Sequence, residues 1–356
     1  MNDESYIRRT LRLAAKARSM TSPNPMVGAL IVKNGIIIAE DFHRKPGTPH
    51  AEVLVIEKAG ENAKGASLYV SLEPCCHIDK RTPPCTKSII NAGIKKVIIG
   101  MKDTNPKVSG RGISELRNAG IDVKSGILEN EAKSLNEAYI KYITTGKPFV
   151  ILKIAMTLDG KIATPEGQSK WITGEKARKT VHRLRSRVDA IMTAIGTVKA
   201  DDPRLTARIK NGKNPRRVVI DPDLEINTNA KVLQIPPETI IITKINNPKA
   251  NYLEKTGTKI IYYKEKLNLN WLMEKLGEME ITSVLIEGGS SLNAHALEEG
   301  IVDKVFFFIA PKIIGGKKSF SAVGGKTFKK LEDAYRVKDL KIKRVGEDLL
   351  IEGYIK

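Results

Sequence analysis

Apolar residues at Ile7, Leu11 and Ala14–Ala15 recur at helical spacing, so the chain opens on an amphipathic helix. Val27–Val32 and Ile36–Ala39 are apolar runs separated by Asn34–Gly35, a pair suited to a tight β-hairpin. The pattern then predicts a helix starting near His50, a strand over Ser67–Leu72 and a helix opened by Thr82–Pro83–Pro84–Cys85, since proline suits a first turn. Strand Lys96–Met101, helix Gly110–Ala119, strand Ile121–Ser125 and helix Glu131–Tyr142 follow. Strands alternating with helices predict an α/β layer sandwich.

Thr144–Pro148 interrupts this series, and the boundary is set there, giving domains over 1–145 and 146–356. Two domains suit the length, because a single core stops growing at roughly 250–300 residues. The second series predicts strand Phe149–Met156, helix Glu175–Arg187 and strand Ala190–Ile195. Strands follow at Arg217–Ile220, Thr239–Thr243, Lys259–Tyr263 and Ser283–Glu287. Helix Asn293–Glu299, strand Lys304–Ala310 and a closing hairpin in Tyr335–Ile355 around Gly346 complete it.

Aromatic residues are 5% of the chain, so the cores must be built from Ile, Val, Leu and Ala. The net charge of +20 is spread over both halves and not gathered in a basic tail. It suits anionic small ligands, and equally a lysine-rich surface kept soluble by its charge. Without aromatic RNA-binding motifs or a Lys/Arg block, no nucleic-acid partner is expected. No apolar stretch approaches the length of a membrane span, and Met1–Met20 lacks a signal-peptide core, so a cytoplasmic location is expected.

Cys75, Cys76 and Cys85 are the three cysteines, an odd cluster that reads as metal binding or catalysis and not as a disulfide framework. With His50, Cys75 and Cys85 supply three zinc ligands and leave a fourth position for water, as catalytic zinc requires. Zinc lowers the pKa of such a water toward about 7. Glu52, two residues after the histidine, is placed to shuttle the proton from water to a leaving amine, the His-x-Glu with Pro-Cys pattern of nucleobase deaminases. A closed structural site would need Cys76 or His77 as fourth ligand; adjacent side chains on extended backbone point apart, which disfavours Cys75 and Cys76 together.

No Gly-x-Gly-x-x-Gly follows a strand in the second half, and Gly110 and Gly112 of the first half fail the spacing because Glu115 takes the third glycine position. Two other phosphate cradles are visible: Gly196–Thr197 after one predicted strand, and Gly288–Gly289–Ser290 between a strand and a helix. Lys153 is unusual among Leu152, Ile154 and Ala155, with Asp201 and Glu287 as its possible partners. Arg185 and Arg208 suit phosphate oxygens. His43 by itself reads as a surface histidine.

The segments His50–Val53, Leu72–Cys75, Arg81–Cys85, Asn24–Gly28 and Asp103–Pro106 resemble the deaminase half of the bifunctional riboflavin biosynthesis deaminase/reductase family. Gly110–Ile113, Lys153–Ala163, Lys170–Thr173, Gly196–Pro203, Glu287–Gly289 and Ala310–Gly316 extend the resemblance over nearly the whole chain. Cys76 stands where the family carries Ser, and the segment between Cys75 and Cys85 is one residue longer than the family pattern. The resemblance implies a cytidine-deaminase-like α/β/α layer sandwich followed by a dihydrofolate-reductase-like α/β domain. It implies zinc-dependent deamination of 2,5-diamino-6-(5-phosphoribosylamino)pyrimidin-4-one. NADPH reduction of the ribosyl group of 5-amino-6-(5-phosphoribosylamino)uracil to ribityl would follow.

Its substrates would be phosphorylated pyrimidines. By the same resemblance, Asn24, His43, His77 and Thr82 contact the deaminase substrate, and Lys80 or Arg81 its phosphate. Lys153, Ser169, Arg185, Asp201, Leu205, Arg208 and Glu287 serve the reductase substrate, with Lys153 polarising or protonating the opened ribose. Ala155, Trp171, Thr173, Thr197, Gly288 and Gly289 face NADPH. A homo-oligomer formed through the reductase domain is expected. A zinc tRNA-adenosine or cytidine deaminase with an accessory domain would share the zinc motif, but would give Lys153–Ala163 and Glu287–Gly289 no role.

Overall fold

The computed structural model describes residues 2–18, 20–76, 83–325, 328 and 330–356, and divides into two compact units, Met1–Lys147 and Pro148–Lys356. In the first, strands β1 (Gly28–Lys33), β2 (Ile36–Phe42), β3 (Ser67–Leu72), β4 (Lys96–Met101) and β5 (Asp122–Ser125) form one sheet in the order β2-β1-β3-β4-β5. Asn34 and Gly35 both have left-handed φ, 52° and 77°, as the two-residue hairpin between β1 and β2 requires. The strands β3, β4 and β5 run parallel. Both β3 and β4 are buried on successive residues, so helices cover both faces. Helix Asp3–Ala14 packs on β1 and β3 through Tyr6, Ile7 and Leu11. Gly28 is obligatory under this helix: a Cβ there would lie 2.2 Å from Thr10 O.

The helix predicted over 131–142 is two helices, Glu129–Leu135 and Glu137–Thr145, broken at Asn136. The Asn136 side chain accepts from Met26 N (2.8 Å) and donates to Met26 O (3.0 Å). It therefore holds the Asn24–Met26 segment in place.

In the second unit, β6 (Phe149–Thr157), β7 (Lys161–Ala163), β8 (Ala190–Ala194), β9 (Arg216–Ile220), β10 (Thr239–Thr243) and β11 (Lys259–Tyr262) come first. They are followed by β12 (Ser283–Ile286), β13 (Lys304–Ala310), β14 (Phe320–Ser321), β15 (Val337–Val345) and β16 (Asp348–Ile355). Nine of these form a sheet in the order β11-β10-β9-β8-β12-β6-β13-β16-β15; β7 and β14 pair separately. The sheet is parallel from β11 to β13, and the last two strands are an antiparallel hairpin.

The two-residue period of a strand sorts its side chains onto two cores. Val150, Leu152, Met192 and Ile286 enter one, while Ile191, Val219 and Leu285 enter the other. Lys153 therefore projects from the face opposite Leu152. On that side Ile151 packs with Leu184 of helix Glu175–Arg185.

Three features depart from the pattern-based expectations. The strand predicted over 190–195 stops at Ala194, and Ile195–Asp201 is helical. Helices Pro248–Lys255 and Leu269–Glu278 were not predicted. The short β7–β14 pair was not predicted either.

Candidate active sites

In the first unit, His50 is the residue that precedes helix Ala51–Ala59, and Cys85 is the first residue of helix Cys85–Asn91. Cys75 lies three residues beyond β3. These elements bring one imidazole nitrogen and two sulfurs within 4.8 Å of one another. Nδ1 of His50 lies 3.1 Å from Cys85 Sγ and 3.5 Å from Cys75 Sγ. Cys76 is not part of this group, so Cys75 alone of the two adjacent cysteines supplies a sulfur to it. The neighbouring Cys75 and burial hold the Cys85 thiol well above its ordinary range. A divalent cation reverses that preference by stabilising thiolate, so the donor set suits zinc.

Glu52, in the first turn of its helix, is 3% exposed, and its Oε2 has no hydrogen-bond partner. Burial pushes its carboxyl upward, against the opposing pull of His50. A buried acceptor left open beside three metal donors is what a site for an activated water requires.

His43 is only 3% exposed, which corrects its reading as a surface histidine. Its Nδ1 faces Pro49 O at 3.2 Å, its Nε2 faces Asn24 Nδ2 at 3.4 Å, and its ring packs edge-on against His50 with centroids 5.1 Å apart. Expected contacts His77, Thr82 and Lys80 or Arg81 lie outside the described residues.

Glu73 was not foreseen as a positioning residue. Its carboxylate accepts from the backbone N–H groups of Asp103, Gly110 and Ile113 at 3.0–3.2 Å. It thereby ties the loop after β4 to the chain that carries Cys75. Asp103 accepts in turn from Tyr139 Oη at 3.0 Å. The signal was present in sequence: an acidic residue that directly continues a buried apolar strand.

In the second unit a cavity of about 850 Å³ opens at the carboxyl ends of β6, β8 and β12, where parallel sheets commonly bind ligands. Every residue assigned above to the reductase substrate or to NADPH lines it, including Ala155, Ser169, Thr197 and Leu205. Glu287 follows β12 and lies beside Lys153, because Ile286 pairs in register with Leu152. Lys153 Nζ is 3.3 Å from Glu287 Oε2, and Arg185 grips the same carboxylate through Nε (2.6 Å) and Nη2 (2.9 Å).

Burial alone would raise the Glu287 pKa; Arg185 and then Lys153 outweigh it and hold the carboxyl far below its ordinary value. One earlier expectation changes: Asp201 pairs with Lys170 at 3.0 Å and not with Lys153. Arg185 pairs with Glu287 through Nε and Nη2.

The cavity also fits a dinucleotide. Helix Ser290–Glu298 begins without a side-chain cap, and a Cβ on Gly289 would point into open space, so phosphate oxygens can approach free N–H groups there. Gly288 is needed for a different reason: its Cβ would meet Leu292 at 2.8 Å. Trp171 is 61% exposed at the cavity, with Arg178 4.6 Å above its ring. Gly196–Thr197 forms the start of a seven-residue helix and not a strand-following loop.

Residues 148–351 match the RibD C-terminal domain, and residues 1–101 match the cytidine and deoxycytidylate deaminase zinc-binding region. The riboflavin biosynthesis protein RibD of Aquifex aeolicus is 45% identical over 351 residues, covering 98% of this chain and 97% of that protein. This chain belongs to the RibD family. The Escherichia coli RibD is 40% identical over 366 residues, covering 99% of both.

Among solved structures, Acinetobacter baumannii RibD superposes with a TM-score of 0.92 at 35% identity, covering 99% of each chain. A Thermotoga maritima diaminohydroxyphosphoribosylaminopyrimidine deaminase/5-amino-6-(5-phosphoribosylamino)uracil reductase gives 0.89 at 38% identity, also covering 99% of each. Both sets of site residues thus sit in a RibD framework that is matched from end to end.

Proposed function

We infer that this chain carries two successive steps of riboflavin biosynthesis. The first unit hydrolytically deaminates 2,5-diamino-6-(5-phosphoribosylamino)pyrimidin-4-one, and the second reduces the ribosyl group of 5-amino-6-(5-phosphoribosylamino)uracil to ribityl. The observation that carries this reading is the coexistence in one RibD-family chain of the His50–Cys75–Cys85 cluster beside the open Glu52 Oε2, and of Lys153 held by Glu287 in a dinucleotide-sized cavity. A tRNA-adenosine or cytidine deaminase would use the first and leave the second idle.

His50, Cys75 and Cys85 would hold zinc, which when bound would supply a polarised water at neutral pH. Glu52 takes the proton of the attacking water at Oε2 and returns it to the departing amine, a role its buried, unpartnered Oε2 suits. Asn24 and His43, held by the contacts described, orient the pyrimidine. In the second unit the cavity lining would hold NADPH, which when bound would supply the hydride. Lys153 Nζ donates a proton to the opened ribose as its carbonyl or imine carbon is reduced. Glu287 fixes the direction of Nζ, and Arg185 keeps Glu287 ionised so that it can do so. Arg208, Ser169, Asp201 and Leu205 bound the phosphoribosyl group, while Ala155, Trp171, Thr173, Thr197, Gly288 and Gly289 face the cofactor.

No helix among the described residues is long and apolar enough to cross a membrane. With an NADPH requirement and three free cysteines this favours a cytoplasmic enzyme. We also propose a homo-oligomer formed through the second unit, whose edge strand β15 exposes Leu340 and Ile342.

The test is incubation with the diaminopyrimidine ribosyl phosphate, with and without NADPH, followed by product mass. Without NADPH the product should be the deaminated pyrimidine; with it, the ribityl compound. A chelator should stop ammonia release and spare NADPH oxidation on the deaminated substrate. Retention of the substrate amine in metal-loaded enzyme would overturn the assignment.

A further inference from the structure

Helix Glu175–Arg185 presents His182 and Arg185 to the cavity one turn apart. Both reach one acceptor: Thr206 O lies 3.2 Å from His182 Nδ1 and 3.2 Å from Arg185 Nη1. The backbone N–H of Arg208 comes within 3.4 Å of the same Nδ1. The imidazole is thus fixed through Nδ1, and its Nε2 has no partner among the described residues. The loop that makes these contacts is strained, since the buried Leu205 has φ 50°. A bulky side chain persists there only where the surroundings enforce one shape.

Arg204 and Arg208 of this loop also line the cavity, and neither has a carboxylate partner among the described residues. The charged groups that face His182 are Arg185 from its own helix, Arg208 from the loop and Glu287 from the end of β12. Glu287 is already matched by Arg185 and Lys153. The ring nitrogen therefore stands in a positive field with no anion to answer it.

We propose that His182 binds the phosphate monoester of the reductase substrate through Nε2, together with Arg208 and Arg204. This rests on the reductase reading above. The substrate is favoured over the cofactor because a continuous chain of contacts, His182–Thr206–Arg185–Glu287–Lys153, links the imidazole to the lysine assigned to the reacting sugar. Burial, then Arg185 and Arg208, depress the pKa of His182 in the free enzyme. A bound dianion restores the protonated form, so binding takes up a proton. On the His182 side, affinity for the dianionic phosphate then falls as pH rises toward the pKa of the complex.

His182→Asn keeps a donor near Nδ1 and removes Nε2; His182→Gln keeps a neutral polar group near Nε2. Both should raise KM for the ribosyl phosphate about tenfold at the acid end of the range, as loss of one charge-assisted hydrogen bond predicts. The effect should fall mainly on KM rather than kcat, shrink as pH rises, and vanish with the dephosphorylated substrate. A change confined to KM for NADPH, or one equally large without the phosphate, would overturn the proposal.

An independent arm uses ribose 5-phosphate as probe and histidine Cε1–H resonances as readout. With five histidines in the chain, His182 is assignable from the signal lost in the Asn variant. Its titration should move to higher pH on adding the probe; superimposable curves would refute the contact. Failure of the wild-type enzyme to reduce the substrate at all would count against the reductase reading instead, and the resonance measurement would still decide the fate of His182.

Discussion

Glu287→Gln removes one buried charge while keeping the shape of the side chain. In the native protein that carboxylate answers both Arg185 and Lys153, and the three side chains are 8%, 13% and 14% exposed. Breaking a buried pair by removing one partner costs about 3–5 kcal/mol, mostly because the other charge is left uncompensated. The amide of Gln can still accept one hydrogen bond, so a loss near the lower end, about 3 kcal/mol, is expected.

Equilibrium urea unfolding followed by tryptophan fluorescence reads this directly. The two tryptophans, Trp171 and Trp271, both lie in the second unit, so the signal reports that unit alone. With a slope of about 2 kcal/mol/M the midpoint should fall by roughly 1.5 M.

The pH dependence has a definite sign. The Glu287 pKa is depressed in the folded state, so its contribution is complete above its ordinary value of 4.5 and is lost as pH falls through the folded value. The difference between variant and parent should be flat from neutral to mildly acid pH and narrow only in strong acid. A loss below about 1 kcal/mol, the range of solvated surface pairs, would refute the account of a desolvated charge cluster.

Glu52→Gln should reduce ammonia release by a factor of about 10² to 10⁴, with zinc content and NADPH oxidation unchanged, as removal of a general acid/base predicts. Gly112→Ala would drive a Cβ to 2.2 Å from Pro74 O, next to Cys75. A loss of about 1–3 kcal/mol in the first unit and weaker zinc retention are expected from thermal melts and metal analysis. Asn136→Ala deletes both hydrogen bonds to Met26. It should raise the deaminase KM through Asn24 and cost about 1–3 kcal/mol, with reductase kinetics unaffected.

The elements easiest to read were those whose environment is uniform. Strands β3 and β4 occupy their predicted bounds because both faces are buried and every residue reports it. The helix break at Asn136 was hidden because it depends on a backbone segment 110 residues away. Helix Leu269–Glu278 was legible in principle: Leu269, Leu272, Met273 and Leu276 mark one face, and Asn268 caps it by accepting from Trp271 N.

At the sites, the zinc ligands were legible because spacing encodes them locally. The Glu287 grip on Arg185 was not, since 102 residues separate the partners and an arginine in a basic run looks solvated. His182 was overlooked for the same reason; nothing in Arg183–Arg187 distinguishes a cavity-facing histidine from a surface one.

The position of β12 between β6 and β8 has a consequence for the order in which the second unit can mature. Lys153 emerges from the ribosome 134 residues ahead of Glu287. Its strand cannot gain its central neighbour until β12 has been synthesised, and so distant a pairing forms late and slowly. A nascent or truncated chain ending before residue 287 therefore leaves a lysine and an arginine facing each other without their shared counter-charge, and such a fragment should be held open by its own repulsion until the missing strand slots in.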